Sequence, residues 1–173
     1  MKRKIVAILF TVVIGALASA VFVACGKGGG EKSLESVAGN TYKITKVQCD
    51  FSDENAKTSY LEEVGVNTEN ELIAMYKNTN FTMVFTDDEK ATVTFTFDEE
   101  NEYNLYYSFS KDGELTFYKT AEDKQNGKKF LENGLFFSTF IVSENNRTIS
   151  VIYTDGDSLA TATITLTCTA VGK

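Results

Sequence analysis

The most reactive side chains in this sequence are three thiols, Cys25, Cys49 and Cys168, and there is no histidine to work with them. Without histidine, Ser-His-Asp and Cys-His catalysis are ruled out, as is any His-ligated metal site. Three cysteines are too few for a four-cysteine zinc site. The carboxylates Asp87, Asp88, Glu89, Asp98, Glu99, Glu100, Asp155 and Asp157 all lie in short polar stretches between apolar ones. None sits inside an apolar segment, where burial would raise its pKa into the range of a general acid. A carboxylate pair for glycoside hydrolysis is therefore not expected. Asp155-Gly156-Asp157-Ser158 is too short for a twelve-residue calcium loop, and acidic residues are common in hairpin turns of any kind. The sequence predicts no catalytic residue, no metal site and no cofactor: a protein that is not an enzyme.

What precedes Cys25 gives its sulfur a different task. Lys2, Arg3 and Lys4 open the chain, Ile5–Val23 follows without a charge, and Ala24-Cys25-Gly26 leads into a glycine-rich stretch. A basic start, an apolar middle and a small-residue zone make up a secretory signal. Phe22-Val23-Ala24-Cys25 resembles the lipobox of bacterial lipoproteins, with Phe22 where that motif usually has leucine. The resemblance implies a leader over 1–24, cleavage before Cys25 and acylation of its thiol. Residues 25–38 then form the lipidated cysteine and a flexible, Gly-rich tether. Its 13 residues from Gly26 reach at most ~45 Å when extended. The alternatives are an uncleaved membrane span of roughly 28 Å and ordinary secretion. All three place the rest of the chain on the extracytoplasmic side, because the positive charges stay inside. The expected location is the cell membrane, with the anchor at Cys25.

Losing Lys2, Arg3 and Lys4 with the leader leaves 14 basic against 24 acidic residues, so the net charge moves from −7 to −10. Such a surface repels nucleic acid and anionic headgroups, and no nucleic-acid partner is expected. What remains is long enough for one domain with a substantial core, and a monomer is expected.

From Thr41 onward the pattern alternates with period two. Tyr42 and Ile44 share one parity and Val47, Cys49 and Phe51 the other, which predicts a bulge in one long first strand. Asp53–Asn80 breaks the alternation. Ser59-x-x-Glu62 and Thr68-x-x-Glu71 fit capping boxes and Gly65 fits a helix stop, predicting two short helices. Phe81–Thr86, Val93–Phe97, Tyr103–Phe109, Leu115–Phe117, residues 134–143, Ile149–Tyr153 and residues 159–170 then read as seven more strands, mostly joined by short turns. Thr120–Asn133 reads as a longer polar loop.

Eight meandering strands predict a mainly β fold, an antiparallel up-and-down barrel with a short helical insert after strand one. A β-sandwich is the alternative. Gly39-Asn40-Thr41-Tyr42 opening the first strand, the Phe81-led second strand and the eight-strand meander resemble the lipocalin-like domains of small bacterial lipoproteins, over roughly Val37–Ala170, within an expected barrel domain of residues 39–173. The resemblance departs from true lipocalins in lacking the Gly-x-Trp start and a helix after the last strand. It implies capture of a small apolar or amphipathic ligand inside the barrel. The inward set that would line such a pocket is Phe95, Phe97, Tyr103, Leu105, Tyr107 and Phe117, facing Ala160 and Ala162, with the helices as a lid. Packing of large residues against small ones explains the same pattern. A second functional alternative is a surface interaction module, in which the threonine-rich outer strands or the acidic end meet a protein or the cell wall. In a barrel, Cys168 falls beside Tyr42–Ile44, so Cys49 lies roughly 20 Å along the strand at ~3.3 Å per residue. A disulfide needs Cα atoms within ~7 Å, so two small buried thiols are expected unless shear brings the pair together. If the meander closes, Asp87–Lys90, Lys111–Gly113 and Glu144–Asn146 share the end where the chain enters. The helices, Asp98–Asn101, Thr120–Asn133 and Asp155–Ser158 share the distal end.

Overall fold

Period-two alternation does build strands here, and they close on themselves. The computed structural model describes residues 36–96, 100–110, 112–131, 138–143, 145–156 and 160–171, without the side chains of Phe95 and Glu100. The elements run β1 (Thr41–Phe51), α1 (Glu54–Val64), α2 (Glu69–Asn78), β2 (Thr82–Phe85), β3 (Lys90–Thr96), β4 (Glu100–Phe109), β5 (Glu114–Tyr118), α3 (Ala121–Gln125), β6 (Thr139–Val142), β7 (Thr148–Gly156) and β8 (Thr161–Val171). Each strand pairs antiparallel with its sequence neighbour, and β1 pairs with β8, giving a closed eight-stranded up-and-down barrel. Closure excludes the sandwich. The leader, Cys25 and most of the tether lie outside the described residues.

The parity switch in the first strand is a bulge. The register between β1 and β8 slips between Ile44 and Lys46, leaving Thr45 as the extra residue, its hydroxyl 2.6 Å from that of Thr169. Tyr42 and Ile44 on one side of the slip, and Val47, Cys49 and Phe51 on the other, can therefore all face the interior. The core is continuous from Val37 through Met83, Phe85, Val93, Leu105, Tyr107, Phe117, Phe140, Ile149 and Val151 to Ile164 and Cys168. The folded part reaches back to Ser36. Val37 is fully buried, Gly39 N donates to Phe85 O (2.7 Å), and Ser36 Oγ donates to the Asp88 carboxylate. Lys32–Lys173 is a compact unit with a core of its own, as a domain able to fold alone has.

The helical insert corrects one expectation. Ser59 does not cap α1; it lies inside it. Asp53 is the N-cap, its Oδ1 accepting from Asn55 N and Ala56 N at 2.8 Å each. Starting there lets Ala56, Tyr60 and Leu61 all reach the barrel, whereas a helix begun at Ser59 would leave out Ala56. Gly65 ends the helix at φ +75°, with Gly65 N on Glu62 O and Val66 N on Leu61 O, the paired bonds of a Schellman stop. Thr68 does cap α2, accepting from Glu71 N at 3.2 Å. Glu71 reaches back to Asn67 N (2.8 Å) rather than to the cap residue itself.

Two further boundaries differ from the expectations. The expected loop 120–133 contains α3, begun by Thr120, which accepts from Asp123 N (3.0 Å). The sixth strand is the short β6; residues 134–137 of its expected span lie outside the described residues, as does Leu159 at the head of the last strand. The two ends are also less separate than a flat barrel suggests. Strand tilt puts Lys90, Tyr106 and Tyr118 level with one another across β3, β4 and β5. Lys124 of α3 consequently pairs with Glu89 of the β2–β3 turn at 3.8 Å.

Gly156, at the end of β7, is fixed by space as well as by its φ of +110°. A Cβ there would stand 2.0 Å from the backbone oxygen of Ala160. Gly156→Ala is expected to cost about 2–4 kcal/mol in urea unfolding, since strain and a backbone clash add. Gly65→Ala, where a Cβ meets nothing within 4 Å, is expected to cost about 1 kcal/mol, from its positive φ alone. Equal losses at the two sites would contradict this placement of Gly156 against Ala160.

Candidate functional site

The residues predicted to line a pocket do not form one surface. Leu105, Tyr107 and Phe117 are buried in the central core. Tyr107 stands edge-on to Phe85 (4.9 Å between centroids) and Phe117 to Phe140 (5.1 Å). Tyr107 also donates to Asp87 O at 2.6 Å, and burial first, then the Asp88 and Asp87 charges, push its pKa up to about 12. Tyr103, nearer the distal end, is half-buried and packs against Phe130 at 5.4 Å. Ala162 is buried on the opposite wall, in register with Phe51 and Asp155, while Ala160 is exposed. Phe97 and the side chain of Phe95 lie outside the described residues. The space beside Ala162 is occupied from the helical insert: buried Tyr60 packs on Phe51 at 6.2 Å.

That docking assembles a cluster which sequence reasoning missed. The inward parity of β7 runs Ile149, Val151, Tyr153 and continues to Asp155, which is half-buried and so is not the solvated turn residue expected. Tyr153 and Cys49 are both in register with Ile164, so they share one level of the barrel. Above them, Tyr60 of α1 and Tyr76 of α2 join hydroxyls at 2.9 Å. Burial is the main reason that the hydroxyls of Tyr60, Tyr76 and Tyr153 all titrate above their ordinary value, and the Asp155 charge adds to each shift. All three are therefore protonated at physiological pH. Extending the alternation Ile149-Val151-Tyr153 by one step to Asp155 was the available signal. The two helical tyrosines carried none, because their neighbours depend on how the insert docks.

Cys49 and Cys168 are free thiols, lying opposite Ile164 and Ile44 respectively on the β1–β8 ladder. Burial pushes Cys168 up to about 12. Burial, then the Glu69 and Asp50 charges, push half-buried Cys49 up to about 11. Neither is a nucleophile at neutral pH. Among the described residues, no three His, Cys, Asp or Glu side chains converge as a metal would require, and no helix is long and apolar enough to cross a membrane.

A second concavity opens in the barrel wall. Among the described residues only Glu114↔Ile141 and Leu115↔Phe140 pair β5 with β6. Beyond them Phe130 takes the ladder position, its N donating to Phe117 O at 2.8 Å. A cleft of about 150 Å³ lies between the parted strands, lined by Leu115, Phe117, Phe130, Ser138 and Phe140, with Glu114 and Lys129 at its rim.

Comparison with protein-family models, with curated proteins and with solved structures returns no match for this chain.

Proposed function

We propose that this protein is a bacterial lipoprotein, held on the extracytoplasmic face of the cell membrane through Cys25, whose lipocalin-like barrel captures a small amphipathic ligand without chemically altering it. The observation that carries the capture reading is the distal cluster. Packing alone would favour apolar side chains at the inward positions of Tyr153 and Asp155. Instead Tyr153 and Asp155 take inward positions, level with Ile164 and Ala162 and beneath the paired hydroxyls of Tyr60 and Tyr76. Such a site holds a polar head by hydrogen bonds and an apolar body by burial. Ser36 meets Asp88 of the β2–β3 turn, at the end of the barrel opposite the cluster, which supports a tether entering there and a cluster facing away from the bilayer. The leader-like start of the chain and the lipobox-like Phe22–Cys25 support the anchor.

Native mass spectrometry of protein isolated from its own membranes is expected to show one co-purifying small molecule. Asp155→Asn and Tyr153→Phe should each lower its occupancy about tenfold, the worth of one hydrogen bond to a charged or buried group. A bare mass, together with no thermal stabilisation by added amphipathic probes, would sink the capture reading.

A further inference from the structure

The gap between β5 and β6 has three properties that strand packing by itself does not require. Among the described residues the ladder pairs only two positions, although β5 runs on through Thr116, Phe117 and Tyr118. The gap is walled by three rings, Phe117, Phe130 and Phe140, of which Phe117 and Phe140 stand edge-on to each other. Ser138, in the same wall, has a buried Oγ that makes no hydrogen bond among the described residues. A buried hydroxyl without a partner is costly, and a ligand oxygen that accepts from it would recover that cost. At the rim, Lys129 Nζ lies 3.7 Å from Glu114 Oε1, and both side chains are about half exposed. The ammonium is another donor, already shared with a carboxylate.

Size and charge narrow the occupant. The cleft is lined by polar and apolar groups in similar measure, and its volume of about 150 Å³ is that of one benzene-sized ring. The chain's net charge of −7 disfavours an anion, and the Ser138 hydroxyl calls for an acceptor. We propose that the β5–β6 cleft binds a neutral, one-ring aromatic molecule carrying an oxygen that accepts from Ser138. This site lies in the side of the barrel, whereas Tyr60, Tyr76, Tyr153 and Asp155 gather beneath the helices. It can therefore stand or fall independently of the distal capture site.

The test is an amide-resolved NMR titration of residues 32–173 with benzyl alcohol, using toluene as the ring without an oxygen. Saturable shifts are expected at Leu115–Phe117, Phe130–Leu131 and Ser138–Phe140, with millimolar affinity fitting so small a ligand. Ser138→Ala, which removes one atom and leaves the wall in place, should weaken benzyl alcohol three- to tenfold and change toluene less than twofold. Ser138→Leu should block both ligands by filling the cleft while leaving the spectrum dispersed. Shifts that do not saturate, shifts confined to Tyr60, Tyr76 and Tyr153, or equal affinity of benzyl alcohol for wild type and Ser138→Ala would each overturn the proposal. Shifts at the tyrosines would favour the distal site instead, which keeps the two readings apart.

Discussion

Phe85→Ala lowers the unfolding free energy by about 3–5 kcal/mol, the range for deleting a fully buried ring. Phe85 has no exposed surface and sits edge-on to both Tyr42 (5.6 Å) and Tyr107 (4.9 Å). Its backbone also closes the entry end of the barrel, bonding Gly39 N and Asn40 O. Both neighbouring rings are held at their hydroxyls, Tyr42 to Asn146 O and Tyr107 to Asp87 O at 2.6 Å each. They cannot slide into the hole, so the cavity term stays large. A domain of this size has about 5–15 kcal/mol of stability in all, so one substitution removes a large share. In urea the midpoint should fall with little change in slope. Val84→Ala is the control on the same strand: its side chain faces outward at 37% exposure, and the expected change is within about 0.5 kcal/mol. A loss below about 1 kcal/mol for Phe85→Ala would mean that this end is not packed as described.

The second large effect is one of place. Cys25→Ala is expected to move the protein from the membrane fraction to the soluble one. A single acyl chain gives only marginal binding, with an association constant on the order of 10⁴ M⁻¹, whereas two or more give stable anchoring. An anchor built on one thiol is thus all or nothing with respect to that residue. Fractionation of cells producing each form, with metabolic labelling by a palmitate analogue, reads the result directly. If the alanine variant stays with the membrane and carries no label, Ile5–Val23 is a lasting span and the lipobox reading fails.

The barrel was legible because period-two alternation and short turns are local signals, readable strand by strand. Even the bulge at Thr45 showed, since moving from Tyr42 and Ile44 to Val47, Cys49 and Phe51 changes parity within one strand. The helix start at Asp53 was missed because Ser59 has a glutamate three residues on while Asp53 has Ala56 there, and the true start depends on the barrel surface that Ala56, Tyr60 and Leu61 meet. Leu105, Tyr107 and Phe117 do lie on inward faces, but their burial depends on Phe85 and Phe140, which arrive from other strands. Asp155 was misread because its composition suggests a turn while its parity places it in the interior. Nothing local marks the short β5–β6 pairing; it follows from where α3 and Phe130 return the chain.

The pairing of β1 with β8, from Thr41↔Val171 to Phe51↔Ala162, also sets a schedule. These are the first and last strands of the barrel, so its longest ladder joins the two most distant parts of the domain. A chain delivered N-terminus first, by a ribosome or through a translocation channel, cannot finish folding until residue 171 has emerged. Contacts at that sequence separation form slowly, on the order of milliseconds to seconds, and until then the growing sheet presents two bare edges. Late closure keeps the polypeptide threadable to its end. It also makes a chain that stops short of β8 a poor folder whatever the quality of its remaining core, and an early target for proteases.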